Sequence, residues 1–137
     1  MKILFPYVGD SVGGSHHSSL LLVKGLNDEN DVEAIVALHH GAGPLSEYLE
    51  GNQIPFLIAP VAPIAGSEQI IKQIVKMFVA AFPLAMFLKK HSIDIVHVND
   101  RRMHLTWLLA ARVAGRKLVW HQRSAGPLCQ GGWNLSC

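Results

Sequence analysis

Apolar residues along this chain fall into two alternating patterns, short unbroken runs and longer stretches in which they recur every three or four positions. The runs predict strands at 2–8, 32–38, 54–59, 93–98 and 117–121, and the helical spacing predicts helices at 15–26, 44–51, 67–90 and 101–114. Runs such as Ile93-Asp94-Ile95-Val96-His97-Val98 and Lys117-Leu118-Val119-Trp120, set between helices, give a βαβα order. That order implies a parallel sheet covered on both faces. Right-handed crossovers then make the expected fold α/β, a Rossmann-like doubly wound parallel sheet. Turn chemistry agrees with these boundaries: Gly41-Ala42-Gly43-Pro44 leads into the second helix, Asn99 or Asp100 can cap the fourth, and Gly115 closes it.

With 137 residues, half of them hydrophobic, the chain has the size and composition of one globular domain. Met1 and Lys2 lead directly into a strand, so no signal peptide is expected and a cytoplasmic location is. Two cysteines, Cys129 and Cys137, are too few and too close for a disulfide framework and are read as free thiols. Charge is unevenly spread: residues 1–71 carry two basic and eight acidic side chains, residues 72–137 ten basic and two acidic. The basic half suits an anionic partner, membrane phospholipid or a phosphorylated substrate, or is simply a solvated face. Nucleic acid is disfavoured, because basic and aromatic residues do not interleave and no binding motif occurs.

Ligands of such sheets sit beyond the carboxyl ends of the strands, so the residues just after each strand carry the chemistry. After the first strand comes Gly9-Asp10-Ser11-Val12-Gly13-Gly14-Ser15-His16, a Gly-rich turn opening a helix, whose free N–H groups and positive end suit phosphate. The glycines fit neither G-x-G-x-x-G nor a P-loop. A turn that merely returns the chain to the sheet is the plainer alternative. His39-His40-Gly41 follows the second strand, Asn99-Asp100-Arg101-Arg102 the fourth, and His121-Gln122-Arg123-Ser124 the fifth. A nicotinamide site is disfavoured, because the second strand ends without an acidic residue for a ribose. The His pairs 16–17 and 39–40 have no helical His-x-x-x-His spacing and no Cys partner, so no metal is expected.

Taken in order, Val12-Gly13-Gly14-Ser15-His16, His40-Gly41-Ala42-Gly43-Pro44-Leu45, Asp94-Ile95-Val96-His97-Val98-Asn99 and Leu118-Val119-Trp120-His121-Gln122-Arg123-Ser124 resemble the N-terminal domain of a glycosyltransferase family 4 enzyme. The resemblance covers residues 1–125. It implies the N-terminal, acceptor-side half of a GT-B architecture, two Rossmann-like domains facing across a cleft. It also implies retaining transfer of a sugar from a nucleotide diphosphate sugar to an acceptor hydroxyl, with no cofactor, in glycan, glycolipid or cell-surface polysaccharide synthesis. His121 would be the catalytic-site residue beside the transferred sugar. Gly13, Gly14, Gln122 and Arg123 would bind the donor. Asp10, Ser15, His16, Asn99, Asp100 and Arg102 would line the acceptor side, where the partner is a glycan or a lipid-linked acceptor.

Plainer roles compete at each position. Asn99 or Asp100 can serve as a cap alone, His121 can bond a backbone group at the strand end, and His16-His17 can face solvent. A non-catalytic Rossmann-like module binding a nucleotide or a protein is the opposing reading of the whole chain, since such folds host many activities. The stretch Ile70–Leu88 is apolar enough to suggest a membrane span, but Lys72, Gln73, Lys76 and Pro83 interrupt it. Its residues Ile70, Ile71, Ile74, Val75, Phe78, Val79 and Phe82 form a wide apolar face. Burial against the sheet is one expectation for that face. Peripheral contact with an anionic membrane, helped by Lys72, Lys76, Lys89 and Lys90, is the other.

Residues 126–137 have neither period and read as an irregular tail, with the donor domain of the family missing. The expectation is a truncated or frameshifted product, inactive alone, with an open apolar sheet edge near Leu118-Val119-Trp120. Asn134-Leu135-Ser136 matches a glycosylation acceptor by chance only.

Overall fold

A computed structural model describes residues 1–64 and 67–121. Gln122, Arg123, the predicted boundary at residue 125 and the whole 126–137 segment, with Cys129, Asn134 and Cys137, lie outside the described residues. Nine elements follow one another in strict alternation: β1 (Lys2–Tyr7), α1 (Gly14–Asn27), β2 (Glu33–Leu38), α2 (Pro44–Gly51), β3 (Phe56–Ile58), α3 (Ile70–Lys90), β4 (Ile95–Val98), α4 (Arg101–Val113) and β5 (Lys117–Trp120). The sheet runs β3-β2-β1-β4-β5 and is parallel throughout, with Leu4 level with Ile35 on one side and Val96 on the other. Order reverses between β1 and β4, the switch point at which ligands gather in sheets of this kind.

The predicted strands and helices are all present, with ends shifted by a few residues. β3 shortens from the expected 54–59 to Phe56–Ile58, and α3 starts at Ile70 rather than 67. Local chemistry sets several of the other ends. Pro44 occupies the first turn of α2, where its missing N–H costs nothing. Asp100 caps α4 by accepting the Met103 N–H at 2.8 Å, which decides between the two cap candidates. Gly115, at φ +68°, takes the left-handed turn that ends α4.

Side chains alternate across β1, so the strand contributes to two cores. Leu4 and Val8 face α3 and α4, meeting Leu84, Leu88, Val96, Val98 and Trp107. Phe5 and Tyr7 face α1 and α2, meeting Leu20, Val36, Leu45 and Leu49.

The structure corrects one expectation about α3. The face expected to lie on the sheet is exposed, from 47% at Ile74 to 76% at Ile71, with Phe78 at 67% and Phe82 at 70%. The helix is covered instead at Ala80, Leu84, Ala85, Phe87 and Leu88, which share one core with residues of the sheet and of α4, and Ala81 is also buried. Apolar residues surround most of this helix, and periodicity alone does not say which side is covered. As the predicted helix over 67–90 requires, α3 is one continuous helix of 21 residues with Pro83 inside it. By length and apolar content it could cross a bilayer, but a third of its most apolar window (33%) is buried in the domain.

Candidate functional site

The carboxyl ends of β1, β2 and β4 bring most of the polar residues singled out in the sequence to one rim. Asp10, in the loop after β1, forms an ion pair with Arg102 in the first turn of α4, at 3.2 Å across 92 positions of sequence. His16 stands in the first turn of α1 and feels the negative charges of both Asp100 and Asp10. Partial burial nevertheless holds its imidazole below the usual value, so the ring is neutral near pH 7.

That neutral ring has a partner in the Gly-rich turn. Gly13 has no side chain to cap α1; its carbonyl accepts from the His16 and His17 N–H groups, and its own N–H donates to His16 Nδ1 at 3.1 Å. One of the two amides expected to face a diphosphate is thus already engaged. Gly14, exposed at the first helical position, keeps its N–H at the free end of the helix. Ser15 is exposed, and its carbonyl accepts the Ser19 hydroxyl at 2.9 Å. His17 turns away from the rim to Tyr48, with Nδ1 3.2 Å from the phenol oxygen.

At the end of β4, both polar atoms of the Asn99 side chain are shielded from solvent and have no hydrogen-bond partner among the described residues. Asp100 has one oxygen committed to its cap. His121 follows β5, is exposed, and fixes its backbone by donating its N–H to the Val98 carbonyl at 2.9 Å. Its ring lies 6.1 Å from that of His97, edge to face. Asp10, His16, Asp100 and Arg102 are therefore gathered by direct bonds or fields, while Asn99 and His121 share the same strand ends. Gln122 and Arg123 lie outside the described residues.

Sequence reasoning gave no role to the side chain that organises the floor of this rim. His39 is buried; its Nδ1 lies 2.7 Å from the Val61 carbonyl, and Trp107 donates its indole N–H to His39 Nε2 at 3.0 Å. A carbonyl only accepts and an indole only donates, so the ring is fixed as the neutral Nδ1–H tautomer. Burial also pushes its pKa down, against the stabilising Val61 carbonyl. Next to it Thr106 accepts the Ile64 N–H at 3.0 Å and donates to the Arg102 carbonyl at 2.7 Å. Two neighbouring residues of α4 thus hold the loop after β3. An apolar-flanked His at a strand end was the visible signal, but its partners lie 22 and 68 positions away. His104 also has a lowered pKa through burial and stacks on Trp120 with centroids 4.2 Å apart.

A cleft of about 490 Å³ opens at the opposite end of the sheet, between Lys2, Glu33, Phe56 and Lys90. It contains none of the rim residues, and the Lys2–Glu33 ion pair at 3.4 Å sits in its wall. Among the described residues no group of three or more His, Cys, Asp or Glu side chains is placed to hold a metal ion.

An all-parallel, doubly wound sheet with polar side chains collected beyond its strand ends defines a Rossmann-like α/β domain with a GT-B-like fold. Two solved structures share it. MurG from Acinetobacter baumannii superposes with a TM-score of 0.63 at 19% identity, over 94% of this chain and 38% of that one. A UDP-N-acetylglucosamine 2-epimerase superposes with a TM-score of 0.59 at 18% identity, over 88% of this chain and 32% of that one. This chain therefore spans about a third of the length of either neighbour, and at these identities the likeness is one of fold. No protein-family profile matches the chain, and no curated protein matches it.

Proposed function

We propose that this chain is the acceptor-side domain of a glycosyltransferase that moves a sugar from a nucleotide diphosphate sugar to an acceptor hydroxyl. The observation that carries the reading is the Asn99 amide: both of its polar atoms are shielded, with no partner among the described residues, at the strand ends where Asp10, His16, Asp100 and Arg102 converge. Buried amides normally have partners, and a hydroxyl that both donates and accepts would satisfy both atoms. Family 4 resemblance in the motifs and the fold shared with MurG and with an enzyme named for UDP-N-acetylglucosamine support the same reading.

In this scheme Asn99, Asp100, Asp10, Arg102, Ser15 and His16 bind the acceptor. His121 stands beside the transferred sugar, where its imidazole can meet sugar hydroxyls or developing positive charge. The Gly14 N–H, and that of Gly13 once His16 rotates away, face the leaving diphosphate, whose charge they offset. Gln122 and Arg123 complete the donor wall. Retention of configuration rests on the motif resemblance alone, and no cofactor or metal enters. A cytoplasmic site of action and an acceptor carried on a glycan or lipid belong to the same proposal.

Calorimetric titration of the 137-residue chain with UDP and GDP sugars, and with simple glycoside acceptors, tests it. Acceptor binding that weakens about tenfold in Asn99→Ala, and donor binding that weakens in His121→Ala, are expected. Nucleotide binding indifferent to both substitutions would favour a non-catalytic nucleotide-binding module instead. No binding of either ligand by the folded chain would overturn the assignment of these residues.

A further inference from the structure

Along α3 the residues Ile70, Ile71, Ile74, Val75, Phe78, Val79, Phe82 and Met86 are all between 47% and 76% exposed. Soluble monomers seldom leave so long an apolar stripe uncovered. The helix carries no acidic residue and four lysines, and the neighbouring Glu68 is already paired with Lys76. At helical spacing Lys72, Lys76 and Lys90 fall along one border of the stripe and Lys89 at its far end. We propose that this face docks on the surface of an anionic lipid bilayer, with the helix lying in the interfacial plane.

Charge selects this partner over a protein. Interfaces between proteins are depleted of lysine, whereas an apolar face bordered by lysines suits the boundary between acyl chains and anionic headgroups. Anchoring decides between lying on the membrane and crossing it. Ala80, Leu84, Ala85, Phe87 and Leu88 are held in the core, so α3 cannot leave the domain to span a bilayer. Because α3 follows β3 and feeds β4 in a parallel sheet, its exposed first turns lie at the same end as the rim. Docking therefore sets the Asn99–Arg102 region beside the headgroups, where a lipid-carried acceptor would present its hydroxyl; this last step rests on the proposed function, whereas the docking does not.

Flotation of the 137-residue chain with vesicles of phosphatidylcholine, alone or mixed with phosphatidylglycerol, separates the possibilities. Enrichment on the anionic vesicles that declines with salt is expected. Phe78→Ser combined with Phe82→Ser should reduce partitioning by tenfold or more, about as expected for withdrawing two phenyl groups from the interface. Lys72→Gln and Lys89→Gln should each reduce it about fivefold. Leu21→Ser, at an equally exposed site on α1, should leave it unchanged. All these positions are solvent-facing, so circular dichroism should report an unaltered fold, and hydrogen exchange should show added protection over residues 70–82 when vesicles are present. Absence of enrichment would overturn the proposal. So would light scattering that shows a dimer dissociated by the Phe78/Phe82 double substitution, since the stripe would then cover a second copy. The vesicles carry no glycan, so a chain that floats but binds no sugar nucleotide or acceptor would keep the docking surface and lose the transferase reading.

Discussion

At the scale of single residues, His39 shows how one imidazole ties three parts of the fold together. It stands at the end of β2, donates to the loop after β3 and accepts from α4. Protonation would give it two donors and turn the Trp107 indole N–H from a partner into an opponent. Its folded pKa is lowered by burial from 6.5, so as pH falls the unfolded chain takes up the proton first. Stability present above that value is therefore lost progressively between 6.5 and the lower folded value. Urea unfolding should show a midpoint that declines with acidification in this window. His39→Gln should cost about 1–3 kcal/mol at neutral pH and reduce the dependence, leaving the contributions of His16 and His104, which run the same way. Asp100→Ala, measured likewise, should cost about 1 kcal/mol through loss of the α4 cap, and Asp100→Asn much less. The Asp100 cap was open to sequence reasoning because cap and helix start are adjacent. The His39 and His16 bonds were not, since a ring's partner depends on how loops close over it.

Elements meet at the rim through backbone approaches that only glycine permits. A Cβ on Gly9, which sits at φ +95°, would lie 2.7 Å from the His40 carbonyl oxygen, and one on Gly43 would lie 2.8 Å from the Gly9 carbonyl oxygen. Both obstacles are backbone. Gly9→Ala should therefore destabilise by more than about 1 kcal/mol, the positive φ adding to the clash, and Gly43→Ala should follow through the clash alone. A thermal melt of each variant measures the cost; an unchanged midpoint for either would contradict the interlocked arrangement of the loops after β1 and β2. The glycines of these turns stood out in the sequence as phosphate-binding or turn residues, and packing adds a third reason for them. For α3 the periodic pattern located the helix but not its covered side. Ala80, Ala81 and Ala85 lie on the covered side while Phe78 and Phe82 face outward, and apolar character alone does not distinguish the two sides.

For the whole molecule, strand and helix order was legible because runs and periodic stretches alternate without ambiguity, and parallel pairing follows from the crossovers. Position in the sheet has a measurable consequence. β1 has paired strands on both sides, whereas β3 and β5 are the outer strands of the described sheet. Native-state hydrogen exchange should find the slowest amides in β1 and the fastest strand amides in β3 and β5. The two cores also differ in where along the chain their members come from. Every residue of the α1/α2 side lies between Ile3 and Phe56, whereas the α3/α4 side joins Leu4, Val8, Ala37 and Ala59 to residues from Ala80 onward. A ribosome delivers the first set early. One face of β1 and β2 can thus be covered while the polypeptide is still growing, and the other must wait, bare and apolar, until α3 and α4 emerge.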